Sequence, residues 1–141
     1  MKLESFEIYV TGPKVSDFHV FCGDKRWALL QRVDVQIAAD DFVPKLGVRF
    51  PAISLEKGEK PEGADFTILI DERYEHRLCS QIVRVTGKNG EVIGAIKEIS
   101  IVADVEETNH NIVLKFSELG REFVKEYLDA IPSWVKVEWV E

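Results

Sequence analysis

Apolar and polar residues alternate over most of the chain, which is the pattern of β-strands with one buried face. In the first half the alternation predicts strands over Phe6–Val10, Phe18–Phe21, about Trp27–Ala39 and Leu46–Ile53. Gly23-Asp24 has the composition of a tight hairpin turn, because both residues tolerate a positive φ. The first half is therefore predicted to be a four-stranded antiparallel unit.

The second half shows the same kind of pattern. It predicts strands over Phe66–Ile70, Ser80–Val85, Val92–Val105 and Ile112–Phe116. The dipeptide Asn89-Gly90 is the strongest short-range hairpin signal in the chain. A second four-stranded antiparallel unit follows from these segments.

The two halves align without a gap when Val33 is set against Ile99. In this sequence alignment apolar residues are paired with apolar residues, and charged residues with charged residues. The aligned pairs are Val33/Ile99, Val35/Ile101, Asp40/Glu106, Asp41/Glu107, Leu46/Ile112, Val48/Leu114, Arg49/Lys115 and Phe50/Phe116. Only Phe50/Phe116 is an identity, and any two amphipathic β segments align apolar with apolar. Because the order and length of the elements also match, we predict a tandem pseudo-repeat with halves 1–55 and 64–117, closed as a barrel or a sandwich.

Two segments lie outside this scheme. Residues 56–63 carry no large apolar side chain and are predicted to form a loop or short linker. After Ser117, which has the character of an N-cap, residues 118–141 predict one amphipathic helix, Glu118–Ile131, and a final strand, Trp134–Val140. The apolar stripe of the helix comprises Phe123, Val124, Tyr127, Leu128 and Ile131. The whole chain, 1–141, is predicted to be a single mainly β domain.

Composition narrows the class of protein. The 141 residues carry a formal charge of −7, which argues against a nucleic-acid partner, and no apolar run approaches the ~20 residues of a membrane span. The acidic start of the chain does not resemble a signal peptide. Cys22 and Cys79 are too few for a disulfide framework and are expected to be buried free thiols. We therefore expect a cytoplasmic protein without membrane association.

Catalytic and metal-binding motifs are not found. The sequence has no phosphate loop, nucleophile elbow, Cys-x-x-Cys or His-Glu-x-x-His, and His19, His76 and His110 are far apart. His110 between two asparagines is expected to be a polar turn residue, and His19 a solvent-side or hydrogen-bonded residue of its strand. The sequence predicts no catalytic residues, no metal and no cofactor, so the protein is not expected to be an enzyme, although an enzyme stays a rival hypothesis.

One motif carries a ligand hypothesis. Arg73-Tyr-Glu-His-Arg77 has the Arg-x-x-x-Arg spacing, and Glu98-Ile-Ser100 follows. These segments resemble the PilZ family, whose members are small β-barrels that bind cyclic di-GMP. Glu98 stands where that family has Asp or Asn, and Ala103 where it has Gly. The resemblance implies a cyclic-dinucleotide ligand, and the candidate ligand-binding residues are Arg73, Arg77 and Arg84, because guanidinium groups pair with phosphate.

A looser resemblance covers more of the chain. The pattern from Leu30 to Pro44 followed by Leu46-Gly-Val-Arg-Phe50, which recurs in Ile96–Phe116, is similar to that of small uncharacterised β-proteins of tailed phages and prophages. It implies a phage origin, and hence the host cytoplasm, without implying a mechanism. A role in virion assembly and a role in blocking a host defence both stay open.

Aromatic residues near the C-terminus suggest an interface. Tryptophan is enriched at protein interfaces, and an uncovered edge strand needs a partner. The function predicted is non-catalytic binding by a homo-oligomer that holds a protein or small-molecule partner, with interface residues Tyr127, Trp134, Val137 and Trp139. Burial of the tryptophans in the core of one chain is an equally good interpretation.

Overall fold

A computed structural model of the protein describes residues 6–28, 30–41, 44–49, 54–71 and 77–141. Within these ranges the strands are β1 (Phe6–Val10), β2 (Phe18–Cys22), β3 (Lys25–Ala28), β4 (Arg32–Ala38), β5 (Lys45–Arg49), β6 (Ser54–Lys57), β7 (Phe66–Ile70), β8 (Val83–Thr86), β9 (Val92–Ile93), β10 (Ile96–Asp104), β11 (Asn111–Ser117) and β12 (Lys136–Val140). They form a seven-stranded sheet in the order β6-β3-β2-β1-β7-β8-β9 and a five-stranded sheet in the order β12-β11-β10-β4-β5. The predicted mainly β class is confirmed.

One hydrophobic core joins the two sheets. Buried residues alternate with less buried ones along β4 and β7, as the sequence alternation predicts, and all of Phe6, Ile8 and Val10 are buried on β1. Inward residues of β4 and β10, including Val35 and Ile101, belong to the same core cluster. The two sheets therefore pack face to face.

The five-stranded sheet contains one hairpin from each half of the sequence, and aligned residues of the two hairpins pair in the same register. In the β4–β5 hairpin Val33 lies opposite Val48, and in the β10–β11 hairpin their counterparts Ile99 and Leu114 lie opposite each other. Where β4 meets β10, Val35 lies opposite Ile101, its own counterpart in the alignment of the two halves. The number of strands differs from four per half, since β1–β6 precede β7 and the second half contributes β7–β11 before β12.

The two longest predicted strands are each divided. The prediction of one strand over Trp27–Ala39 is wrong, because β3 belongs to the seven-stranded sheet and β4 to the five-stranded one. Val92–Val105 is divided in the same way into β9 and β10, with Ala95 at a φ of 63° between them. The chain thus crosses from one sheet to the other at these two places, and periodicity alone does not reveal a crossing.

Two other boundaries differ from prediction. Ser80–Val85 begins as a helical turn, α1 (Cys79–Ile82), before β8 starts. Glu56 and Lys57, predicted to be loop, pair with β3 as part of β6. The chain then runs over the outer face of the seven-stranded sheet, where Lys60 Nζ lies 2.6 Å from Glu7 Oε2.

The predicted C-terminal helix consists of consecutive short helical segments: a 3₁₀ turn (Glu118–Gly120), α2 (Arg121–Val124) and a second 3₁₀ segment (Lys125–Ala130). Val124 and Ile131 are buried, but the placement of Phe123 in the apolar stripe is wrong, since this side chain is 79% exposed. β12 begins at Lys136 rather than Trp134, pairs parallel with β11 and lies at the edge of its sheet, as predicted.

Candidate functional site

The candidate site is a cleft of about 660 Å³ at the end of the sandwich where β3 and β4 diverge into different sheets. β2 and β3 form one side, and the start of β4 and the end of β10 form the other. The 3₁₀ turn Val15–Asp17 and the loop after β10 line its mouth. Phe18, Trp27 and Leu30, which are partly buried against the core, are among the residues that line the cleft.

The floor of the cleft is apolar and aromatic. Phe18, Trp27, Val33 and Ala103 contribute to it, and all four belong to or pack against the hydrophobic core. The Trp27 ring meets the buried Phe6 ring edge to face, with 5.4 Å between centroids. A planar apolar ligand would therefore meet a floor held in place by core packing.

The rim of the cleft carries both signs of charge. Lys14 and Arg26 supply cations, and Glu56 and Glu107 supply carboxylates. Arg26 lies opposite Glu56 in the β3–β6 register, yet it forms no ion pair with a side chain among the described residues. Its guanidinium is thus available for pairing with a ligand anion.

His19 lies on the same rim and is half-buried. Burial lowers the pKa of His19 below its ordinary value, the charge of Arg26 adds to the lowering, and Asp17 opposes it. The imidazole is therefore neutral at pH 7 and offers one hydrogen-bond donor and one acceptor.

Hydrogen bonds hold the mouth of the cleft in shape. The Val15 amide donates to the Thr108 carbonyl at 2.9 Å, and the His110 amide donates to the Pro13 carbonyl at 3.2 Å. The imidazole Nε2 of His110 lies 2.5 Å from the Gly12 carbonyl oxygen. These contacts connect the turn before β2 to the loop between β10 and β11.

The environment of His110 differs from the sequence prediction. Its imidazole is buried against the rings of Phe18 and Trp134, so the prediction of a polar turn residue is wrong. The local sequence carries no sign of this burial, because both aromatic partners are distant along the chain.

Asp104 fixes the end of β10 beside the cleft. Its carboxylate accepts a hydrogen bond from Arg32 Nη1 at 3.0 Å and another from the Glu106 amide at 3.0 Å, and Arg49 Nη2 lies 3.9 Å away. These groups, the Glu106 amide first, hold the pKa of Asp104 below its ordinary value. One carboxylate thus connects β10 to β4 and β5 next to Ala103 of the cleft.

The Asp104 contacts predict a pH-dependent stability. A carboxyl group whose pKa is lowered by folding contributes its full stabilisation above the unfolded-state pKa of about 4, and the contribution is lost as the pH falls through the folded-state pKa. Asp104→Asn is therefore expected to lower the midpoint of urea unfolding at pH 7, and the difference from wild type should shrink at pH 3. Asp129→Asn is the control, since Asp129 is exposed and forms no ion pair with a described residue. An undiminished difference at pH 3 would contradict the assignment.

A smaller cavity of about 140 Å³ is lined by residues of α1, β8, β9 and β10. In the alignment of the two halves, the cleft residues Trp27, Ala28, Leu30, Gln31, Val33 and Ala103 correspond to Ile93, Gly94, Ile96, Lys97, Ile99 and Ile37 of this cavity. The C-terminal segment covers this side, where the Tyr127 hydroxyl approaches Gly94. The cleft lined by Trp27 and Val33 differs from this smaller cavity in its larger volume and in the charges of both signs on its rim.

Of the arginines predicted for ligand binding, the two that the structure describes, Arg77 and Arg84, do not line the cleft. Arg73 lies outside the described residues. Arg77 is exposed before α1, and Arg84 projects from β8 into a separate depression of about 650 Å³ that Glu7 and Asp71 also line. The charged residues of the cleft went unnoticed in the sequence because they follow no motif.

The predicted interface residues all contact the core of their own chain. Tyr127, Trp134, Val137 and Trp139 are partly buried against it. The Trp134 ring meets Phe66 and His110, and the Trp139 ring stacks between Phe116 and the Arg121 guanidinium, 4.7 Å from its centroid. Their role in an interface stays a prediction.

The described residues give little support for a metal site or for a membrane-spanning helix. No cluster of three or more His, Cys, Asp or Glu side chains in that part of the chain has the arrangement of a metal site. Cys22 and Cys79 form no disulfide bond, and burial, followed by the charge of Asp41, raises the pKa of the Cys79 thiol. No helix in the described ranges has the length and apolar character needed to cross a membrane.

Searches of protein-family models, curated proteins and solved structures found no match to the chain. The resemblances to phage β-proteins and to PilZ domains therefore stay hypotheses. The geometry of the cleft is the basis for assigning a function.

Proposed function

We propose that this is a non-catalytic binding protein, which self-associates and holds a small ligand in the cleft. The observation that supports the proposal is the cleft itself, which has an apolar floor at Phe18 and Trp27 and a charged rim at Lys14 and Arg26. Its volume of about 660 Å³ is within the range of small-molecule pockets.

The ligand class follows from the lining. A planar apolar body fits against the aromatic floor, and an anionic group fits against Arg26, whose fork of N–H donors matches a carboxylate. Neutral His19 adds a hydrogen bond without a charge of its own. We therefore propose an aromatic carboxylate or a compound of the same chemistry as the ligand.

Binding without chemical conversion is the simpler interpretation of these groups. Ser16 and His19 both line the cleft, but no hydrogen bond joins the hydroxyl to the imidazole in the described structure. A serine needs such a base to become a nucleophile. This supports the proposal that the cleft binds rather than converts its ligand.

The internal repeat is part of the proposal. The recurrence of the hairpin registers in the two halves supports descent of both from one β unit. In this view the first-half cleft kept or gained a ligand site, and the second-half equivalent was covered by the C-terminal segment. A phage origin and a place in the host cytoplasm accompany the proposal as hypotheses from sequence.

A titration with 2-naphthoate tests the ligand site. We expect quenching of tryptophan fluorescence with a dissociation constant in the micromolar to millimolar range. Arg26→Met should weaken binding by about tenfold or more, because the charge-assisted hydrogen bonds are lost. Arg84→Met is the matched control: it makes the same change on the outer face of the second half, and it should bind as wild type does.

Absence of binding by wild-type protein at millimolar 2-naphthoate, or equal loss in both variants, would contradict this site. The alternative function, cyclic-dinucleotide binding, has one observation in its favour, which is that Arg84 lines a depression. Cyclic di-GMP in the same assay is expected to produce no signal. Binding that is lost in Arg84→Met and in Arg77→Ala would instead favour the PilZ-like alternative.

A further inference from the structure

The smaller cavity, with a volume of about 140 Å³, is lined by residues of both sheets. Its inner wall consists of buried apolar side chains, which are Ile37, Cys79, Val85, Ile93 and Ile99. Burial raises the pKa of the Cys79 thiol, so this group is uncharged at pH 7. Because such a wall gives water few hydrogen-bond partners, the interior favours an apolar occupant.

The mouth of this cavity is polar. Tyr127 of the C-terminal segment approaches Gly94 on one side, but Ser80, Ala95 and Lys97 stay exposed and form the mouth. Of the described residues that line the cavity, Lys97 alone carries a charge, and it forms no ion pair with a described side chain. A ligand with an apolar body and an anionic end therefore matches the order of these groups.

The backbone at the mouth is irregular. Ala95 has a φ of 63°, which is uncommon for a residue with a side chain. The register of β10 against β11 shifts between Ile96 and Glu98, an irregularity of the β-bulge kind, and bulges redirect side chains next to binding sites. As a result the adjacent residues Ile96 and Lys97 both line the cavity, which strict alternation along a strand does not allow.

We propose that this cavity binds a short aliphatic carboxylate, with the alkyl body in the apolar interior and the carboxylate paired with Lys97 at the mouth. The volume sets the size of the ligand: apolar cavities of about 150 Å³ hold benzene, so an alkyl body of about four to six carbons fits. The site is separate from the cleft, because no described residue lines both.

Titration of the full-length protein with 3-methylbutanoate tests this site by nuclear magnetic resonance of the isoleucine methyl groups. The signals of Ile93 and Ile99 should shift in a saturable manner, with a dissociation constant in the millimolar range. The signal of Ile8, which does not line the cavity, should stay in place. Acetate has the same charge but only one methyl group, and it should produce no saturable shift.

Two lysine variants test the charge at the mouth. Lys97→Met should weaken binding of 3-methylbutanoate about fivefold, because an ion pair at an exposed position is lost. Lys136→Met is the matched control, since Lys136 is exposed on β12 and does not line the cavity. It should bind as wild type does.

Two cysteine variants test the interior. Cys79→Leu should prevent binding, because the larger side chain occupies the cavity. Cys22→Leu makes the same change at a residue that does not line the cavity, and it should leave binding intact. Circular dichroism verifies that each variant is folded, and the lysine variants, altered at exposed positions, keep the test decisive if Cys79→Leu does not fold.

Wild-type Ile93 and Ile99 signals that do not move at tens of millimolar 3-methylbutanoate would overturn the site. Equal binding by Lys97→Met and Lys136→Met would overturn the pairing of the carboxylate with Lys97. Neither result bears on the cleft, which is tested with a larger ligand and a different set of residues.

Discussion

Gly87→Ala is expected to destabilise the protein by about 3 kcal/mol, because position 87 has no room for a side chain. A Cβ there would meet the backbone of Ala130, with the carbonyl carbon at 2.9 Å, and would lie 3.1 Å from Ile93 Cδ1. Neither the Ala130 backbone nor the buried Ile93 can move without displacing the C-terminal segment. The variant should therefore unfold at lower urea and lose the near-ultraviolet signal of Trp134 and Trp139.

Gly120→Ala provides the matched control in the same part of the chain. A Cβ at Gly120 meets no atom within 4 Å, and its φ of −95° is ordinary for any residue. This variant should stay within about 1 kcal/mol of wild type and is expected to be slightly more stable, since alanine restricts the unfolded chain. Equal stability of the two variants would show that residues 125–130 do not pack against position 87.

Ile101→Ala is expected to cost about 3–4 kcal/mol, the usual cost of truncating a fully buried isoleucine. Ile101 is fully buried at the centre of β10, opposite Val35 on one side and Ile112 on the other. Strands on both sides prevent the cavity from collapsing. Because domains of this size are stable by only about 5–15 kcal/mol, the loss is a large part of the total.

Val102→Ala makes a comparable truncation one residue later, on the outward face of the same strand. Val102 is only partly buried, so its loss should cost about 1 kcal/mol or less. Urea unfolding of both variants measures the difference. A cost for Val102→Ala that equals the cost for Ile101→Ala would contradict the assignment of inward and outward faces on β10.

Alternation sufficed to predict those parts of the fold in which a strand stays in one sheet. Phe6, Ile8 and Val10 bury one face of β1, and the inward residues of β7 do the same, as the sequence pattern indicates. The hairpin turns at Gly23 and at Asn89-Gly90 adopt the positive φ that their residues favour. Local chemistry determines these features, so a single sequence reveals them.

Features that depend on distant contacts could not be predicted. No Gly or Pro interrupts the chain from Trp27 to Ile37, so the sequence fits one long strand as well as two separate strands. His110 is buried only because residues far along the chain, including Phe18 and Trp134, surround it. The exposure of Phe123 follows from the way the C-terminal segment turns its other face to the core.

The candidate site is also a feature that depends on contacts between residues distant in the sequence. Lys14, Arg26 and Glu107 are far apart in the sequence and meet only because two sheets diverge where β3 leads into β4. Arg77, the described residue of the Arg73–Arg77 motif, does not line the cleft. Ligand binding by Arg73, Arg77 and Arg84 stays a prediction from sequence spacing, whereas the proposal of the cleft depends on the tertiary structure.

Nuclear magnetic resonance of the three tryptophan indole N–H groups tests the central claim most directly. Trp27 lines the cleft, whereas Trp139 packs on Phe116 and Arg121, neither of which lines the cleft, and serves as the internal reference. Titration of the full-length protein with 2-naphthoate should shift the Trp27 signal in a saturable manner and leave the Trp139 signal in place. A Trp27 signal that does not move, or equal movement of all three signals, would contradict the proposal that this cleft is a ligand-binding site.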